Sequence, residues 1–227
     1  MRGGNTRKWA AATALAAGGL ATLTACGQKP VKVGSAPAVG QTVQVPTFTG
    51  AGSRVVPATS WPRACDMIRE SDITTVLPTT TKVSTSQSDL KLGSLSFSGG
   101  GGIDYSTAYG ASCVRDAHLD GTDDVISTDL SLKMLGTPDY VKEEYDHDTT
   151  TGNDIRLPIQ PPAGVTCKAS ETEYLCHRGH VELSLSWNFP NDVKWQGQRH
   201  DGDGDRIYRE KVAPKLLSVV FARIKDG

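Results

Sequence analysis

The segment His200-Asp201-Gly202-Asp203-Gly204-Asp205-Arg206 places three carboxylates two residues apart, the interval of the first three ligands of a calcium loop. Such a loop also needs glycine at its sixth position and a bidentate glutamate at its twelfth, and here those positions hold Arg206 and Val212. Asp201, Asp203 and Asp205 are therefore a weak Ca2+ candidate. The competing expectation is a turn-rich loop whose last aspartate caps the terminal helix. His177 and His180 offer two nitrogen ligands next to Cys176. A structural zinc needs about four ligands, and a disulfide would remove Cys176, so exposed turn histidines are the plainer expectation. For nucleophilic chemistry, Ser98 in Ser96-Phe97-Ser98-Gly99-Gly100 lacks the first glycine of a serine elbow, and no helix follows it. Ser88 and Lys91 share the spacing of a Ser-x-x-Lys motif, but its companion motifs are absent. The run Gly99 to Gly102 lacks the Lys-Ser or Lys-Thr of a phosphate loop. No catalytic residue and no established cofactor emerge. What remains is the polar stretch Asn188 to Asp205, where Trp195 beside Arg199 and His200 is either a recognition tip or an indole folded back onto the sheet edge.

The elements that must hold these residues follow from periodicity. Ser71 is a candidate N-cap for a short helix carrying Ile73, Val76 and Leu77, ended by Pro78. Residues 79–110 are rich in Ser, Thr and Gly and predict a weak strand followed by a mobile loop. "ASCVRDAHL" is a strand candidate, and "VISTDLSLKML" alternates with Ile126, Leu130, Leu132 and Met134 on one face. Thr137 and Pro138 open a helix presenting Tyr140, Val141 and Tyr145. Three strands then form a meander, the last with Val181, Leu183, Leu185 and Trp187 on one face. A closing helix carries Leu216, Leu217, Val220, Phe221 and Ile224, with Pro214 in its first turn. The expected fold is α+β, a twisted antiparallel sheet with helices packed on one face.

The start of the chain reads differently. Arg2, Arg7 and Lys8 precede an uncharged, alanine-rich run to Thr24, which is a signal-peptide pattern and too short and weakly apolar for a permanent span. The leader holds three positive charges and no acid, so the remainder is more acidic than the formal net charge of −1 for the whole chain. It carries no Lys/Arg block suited to phosphates, and nucleic acid is not an expected partner. Leu23-Thr24-Ala25-Cys26 resembles the lipobox of bacterial lipoprotein precursors. That resemblance implies a signal peptide over 1–25, lipidation of Cys26, and a lipid-anchored protein on the outer face of the cell membrane. Two or more acyl chains are what durable anchoring needs. Residues 26–60 have the composition of a disordered tether, able to lift a domain over 61–227 by on the order of 100 Å.

Five cysteines less Cys26 leave an even number, suited to disulfides in an oxidising compartment. The layout suggests Cys167 with Cys176 across a hairpin and Cys65 with Cys113 between the first helix and the first clear strand; the other connectivities stay open. Lipobox, tether, the "CDMIRESDITTVL" helix, a second cysteine opening a strand and a closing apolar helix together resemble the small lipoproteins of unknown function in high-GC Gram-positive bacteria. They resemble, more distantly, the extracytoplasmic sensor domains of some membrane receptor kinases. The likeness brings no catalytic residues. The expected function is a non-enzymatic ligand-binding or accessory module of the envelope, with a cell-wall component or an envelope protein as partner. The alternatives are an envelope hydrolase uniting Asp201 or Asp203 with His177 or His180, and a structural surface protein.

Overall fold

The computed structural model of the protein describes residues 29–46, 54–95, 103–148 and 161–226; Cys26 and the signal peptide expected over 1–25 lie outside the described residues. In chain order the elements are β1 (Val43–Val45), a 3-10 turn (Ala58–Ser60), α1 (Ala64–Met67), α2 (Glu70–Val76), β2 (Thr80–Leu95), β3 (Ile103–Leu119) and β4 (Val125–Leu135). They continue as α3 (Pro138–His147), β5 (Thr166–Ala169), β6 (Glu173–Arg178), β7 (Val181–Asn188), α4 (Asp203–Ile207), a π-helical turn (Tyr208–Val212), α5 (Ala213–Arg223) and β8 (Ile224–Asp226). Strands β2 to β7 form one antiparallel sheet in the order β2-β3-β4-β7-β6-β5, and β1 pairs in parallel with β8. The class is α+β, as the alternating strands predict.

One face of the sheet is the core. Val83, Cys113, Ala117, Ile126, Leu130, Leu132, Leu183, Leu185 and Trp187 are all buried there, facing Leu216, Leu217, Val220 and Phe221 of α5. A register shift between Leu132 and Met134 reverses the alternation at the end of β4, so Leu135 takes the buried place expected of Met134. Helix α3 departs from the one-faced arrangement. Its Tyr145 ring lies 4.5 Å from that of His177, and His177 and Leu175 point away from the core side that holds Tyr174 and Cys176. Beneath it Lys168 donates to the carbonyls of Tyr145 and, at 3.3 Å, Asp148, a cation on the open C-terminal end of the helix.

Of the residues expected to form a weak strand and a mobile loop, 80–95 and 103–110 belong to two long paired strands, β2 of 16 residues and β3 of 17, while the run Gly99 to Gly102 lies outside the described residues. Ser and Thr sit comfortably on a solvated sheet face once a partner strand satisfies their backbone, and composition alone does not reveal that partner. A bulge interrupts the pairing after Ser88, where Gly110 takes φ +64° and its N–H donates to Asp89 at 2.8 Å. Helix α2 also begins earlier than expected. Arg69, not Ser71, is the cap residue, because the Asp72 carboxylate reaches back to the Arg69 N–H at 2.7 Å.

The largest correction concerns the tether. Residues 29–46 lie along the domain as a strap, with Val31 and Val45 buried. Val31 pairs with Trp195, the Gly34 N–H donates to Val76 O at 2.8 Å, and β1 closes on β8. At Gly34 the strap presses so close to α2 that a Cβ there would stand 2.1 Å from Thr75 O, which only glycine avoids. A few valines at wide spacing suffice to dock an extended segment, because its partners come from distant parts of the chain.

Disulfides join Cys65 to Cys113 and Cys167 to Cys176. The first closes a separation of 48 residues and the second one of 9. Loop-closure entropy then gives about 4 kcal/mol for the first and about 2.6 kcal/mol for the second. The Cys65→Ala/Cys113→Ala pair is expected to lower the urea midpoint clearly more than Cys167→Ala/Cys176→Ala; equal losses would show that loop length does not set their contribution. Arg115, 8% exposed, reinforces the first crosslink by donating to the carbonyls of Cys65 and Ile68. No helix among the described residues is long and apolar enough to cross a membrane.

Candidate functional site

The polar loop after β7 is organised by aromatic rings. Trp187 stacks on Tyr208 at 4.9 Å, Phe189 meets Trp195 edge-on at 5.4 Å, and Trp195 meets Tyr208 edge-on at 6.1 Å. Tyr208 is fully buried, shares a hydrogen bond with the Thr128 hydroxyl, and has its phenol pKa raised by burial. Gly204 passes within this cluster, where a Cβ would stand 2.8 Å from the Phe189 ring. Trp195 is thus no exposed tip. It is 3% exposed, held from inside by the rings and from outside by the strap, whose Val31 N–H donates to Lys194 O and whose Val31 O accepts from Gln196 N–H, both at 2.8 Å. Arg199 and His200 are exposed.

Two hollows flank the first part of the strap, at Pro30 and at Val33. One, of about 300 Å³, is bounded by Pro30 and by Lys194, Trp195, Arg199, His200 and Asp201 of the loop. The other, of about 460 Å³, lies between Val33, Gln196, Glu210 and Lys211 of the π turn, and Pro214 and Lys215 at the start of α5. Pro214 has no N–H to donate, and the chain before it widens into the π turn at Tyr208–Val212. Lys215 donates to Gly34 O and so fastens the strap at this second hollow. Both walls mix acidic and basic groups with one apolar side, a composition that suits a polar ligand or a protein segment more than a lipid tail.

The aspartates do not converge on a cation. Asp203 accepts from the backbone N–H groups of Arg199 at 3.0 Å and His200 at 3.2 Å and from the Arg206 guanidinium at 3.1 Å. The Arg199 N–H bond, followed by that from Arg206, pushes its pKa down to about 2. Asp205 accepts from the Trp187 indole at 3.1 Å, and Asp201 borders the first hollow. Three carboxylates adjacent in sequence thus turn to three different tasks, and among the described residues no three His, Cys, Asp or Glu side chains form a group able to hold a metal ion. His177, opposite Glu182 in the register, and His180, just before Val181, lie at the start of β7, whereas Asp205 meets Trp187 near its other end. The strand between those positions spans roughly 17–20 Å. The pairing of loop aspartate with turn histidine that would favour a hydrolase is not formed, and the Cys167–Cys176 bond takes Cys176 from any zinc set.

Sequence inspection passed over two features. Ser84 Oγ lies 3.2 Å from His118 Nε2 on the open sheet face, next to a lattice in which Ser127 donates to Asp116 at 2.6 Å and Ser112 to Asp129 at 2.8 Å. Its partners meet through strand register, which pairs Ser84 with Asp116 and so sets it diagonally to His118. The geometry suits a surface hydrogen bond; Asp116, the carboxylate that would orient the imidazole, is bonded to Ser127 instead.

The second is Glu182, buried at 4% exposure beneath α3, with one carboxylate oxygen lacking a hydrogen-bond partner among the described residues. Burial, reinforced by Asp148 and Glu144 and opposed by Lys133 and Lys168, pushes its pKa from 4.5 up to about 7. His177, directly opposite in the β6–β7 register, has its own pKa lowered by burial, so no imidazolium compensates the carboxylate at neutral pH. The folded state therefore holds a proton that the unfolded chain releases. This contribution is full below pH 4.5, falls through the window from 4.5 to 7, and is lost above it. Glu182→Gln is expected to gain about 2 kcal/mol at pH 8 and little at pH 4.5. Urea midpoints at the two pH values check this, and an equal change at both would refute the buried-charge account. Comparison of the chain with protein-family models, with curated proteins and with solved structures finds no match.

Proposed function

We propose that this chain is a lipid-anchored protein of the bacterial cell envelope, acylated at Cys26, whose domain is a non-enzymatic ligand-binding or accessory module. The observation that carries the anchor is the use of the cysteines. The chain has five, and four are consumed by Cys65–Cys113 and Cys167–Cys176, so Cys26 in its Leu-Thr-Ala-Cys setting is the one thiol left over. Two disulfides also favour an oxidising compartment. Acylation would bind the thiol as a thioether and hold the domain at the outer face of the membrane. The hollows beside the strap, with Arg199, His200 and Asp201 on one rim and Lys211 and Lys215 on the other, are the module's contact surface. A cell-wall fragment or a segment of an envelope protein matches their mixed polarity.

Cys26→Ala is expected to move the protein from the membrane fraction to the soluble fraction and to abolish incorporation of an alkyne-tagged palmitate. Retention of the variant in membranes would refute the anchor. For the module, Arg199→Ala combined with His200→Ala should leave the thermal midpoint unchanged, since both side chains are exposed, and should lose any stabilisation that peptidoglycan fragments confer on the parent.

A further inference from the structure

We propose that the domain is seated on the bilayer, with the end formed by Lys29, Pro30, the β3–β4 turn and the loop around Asn191 against the lipid headgroups. The proposal rests on the Cys26 anchor and follows from how little chain separates that anchor from the docked strap. Val31 is buried against Trp195, and two residues before it the exposed Lys29 Nζ lies 2.6 Å from Asp120. From Cys26 to Lys29 is three residues, which span at most about 11 Å. A free tether of some 30 residues would let the domain drift on the order of 100 Å away. The docked strap removes that freedom, and acyl chains on Cys26 leave Lys29 no farther than the headgroup layer and its margin.

The chemistry of this end agrees. Lys29, Pro30, Asn191, Asp192 and Lys194 are exposed and mostly polar or charged, which suits contact with a hydrated headgroup zone. The two large hydrophobic side chains exposed among the described residues, Val39 and Tyr109, stand elsewhere. Val39 is ten residues along the strap from Lys29, bonded through its carbonyl to Arg223, and Tyr109 is ten residues along β3 from Leu119. The domain therefore rests on the surface without inserting. The same geometry aims the other end outward. Strand β4 leaves the membrane end at Val125 and delivers Leu135 roughly 33 Å away, and there the Gly136 N–H meets His180 O at 3.1 Å. The β6–β7 turn and the N-terminus of α3 face the envelope, while the hollow beside Pro30 opens next to the headgroups.

The test uses the full-length protein purified from membranes and reconstituted into vesicles of phosphatidylethanolamine and phosphatidylglycerol with a headgroup-linked energy acceptor. A donor dye is attached through an introduced azide side chain at Asn191 or at Asp139, both exposed. Seating predicts at least twofold greater energy transfer from position 191 than from position 139. Inserting 30 Gly/Ser residues between Gln28 and Lys29 should bring the ratio toward one while the protein still floats with the vesicles. Equal transfer from the two positions in floating, unmodified protein overturns the seating and leaves the anchor standing. Failure of the protein to float overturns the anchor and the seating together.

Discussion

Arg223→Met is expected to cost about 3–5 kcal/mol of folding stability, read as a lowered urea midpoint with an unchanged slope. Arg223 is 1% exposed, and its guanidinium lies between three segments distant in sequence. It donates to both carboxylate oxygens of Asp72, at 2.8 Å to Oδ1, to Met67 O at 2.9 Å, to Ala38 O at 3.0 Å and to Val39 O. Removing it leaves Asp72, itself 1% exposed, as a buried charge with the Arg69 N–H as its remaining donor among the described residues, and takes a donor from three carbonyls. Taking both charges away is less severe, since no uncompensated ion then stays inside. The Arg223→Met/Asp72→Leu pair should recover part of the loss, though not all, because the carbonyls of Met67, Ala38 and Val39 remain. A cost below about 1 kcal/mol for the single change would mean that water reaches the pair.

Removal of the strap is the second large effect. A chain beginning at residue 54 lacks buried Val31 and Val45, each contributing roughly 1.5–3 kcal/mol. It uncovers Trp195 and strips Arg223 of its Ala38 and Val39 acceptors as well. A loss of about 5 kcal/mol follows, which for a domain of this size lowers the thermal midpoint by roughly 10–20 °C. The comparison is between chains starting at residues 29 and 54, and equal midpoints would show that the strap adds nothing to the fold. Because the strap and Arg223 share hydrogen bonds, the two losses should not add: Arg223→Met ought to cost less in the shorter chain. The same result bears on any soluble form chosen for ligand work, since a boundary at residue 61 would discard the wall of both hollows.

Some of this was legible in the residues. Thr137 and Pro138 announced α3, alternation announced β4 and β7, and the i, i+1, i+4, i+5 spacing of Leu216, Leu217, Val220 and Phe221 announced the face of α5. The pairing that the layout suggested for the four cysteines, with the other connectivities left open, is the one formed. The candidate site was half visible: Arg199 and His200 are exposed in the loop, while Trp195 was drawn inward by rings from β7 and the π turn. The aspartates looked like ligands because their spacing matched a loop motif, but spacing says nothing about which way each carboxylate turns. Two are spent on a backbone turn and an indole N–H.

By itself the sequence determined what depends on near neighbours: the prolines that bound α3 and α5, the period of β4 and β7 and the parity of the cysteines. These are set by local sterics, hydrogen bonding within a few residues and short-range periodicity, and they survive without knowledge of the rest of the chain. Tertiary structure alone decided that 29–46 is a strap and no tether, that the serine-rich region is a paired hairpin, that α3 lies across the second face, and that Glu182 and Arg223 sit out of water. Each of those depends on a partner tens of residues or more away, and a weakly apolar or polar segment acquires its place only when that partner satisfies its backbone and covers its few valines.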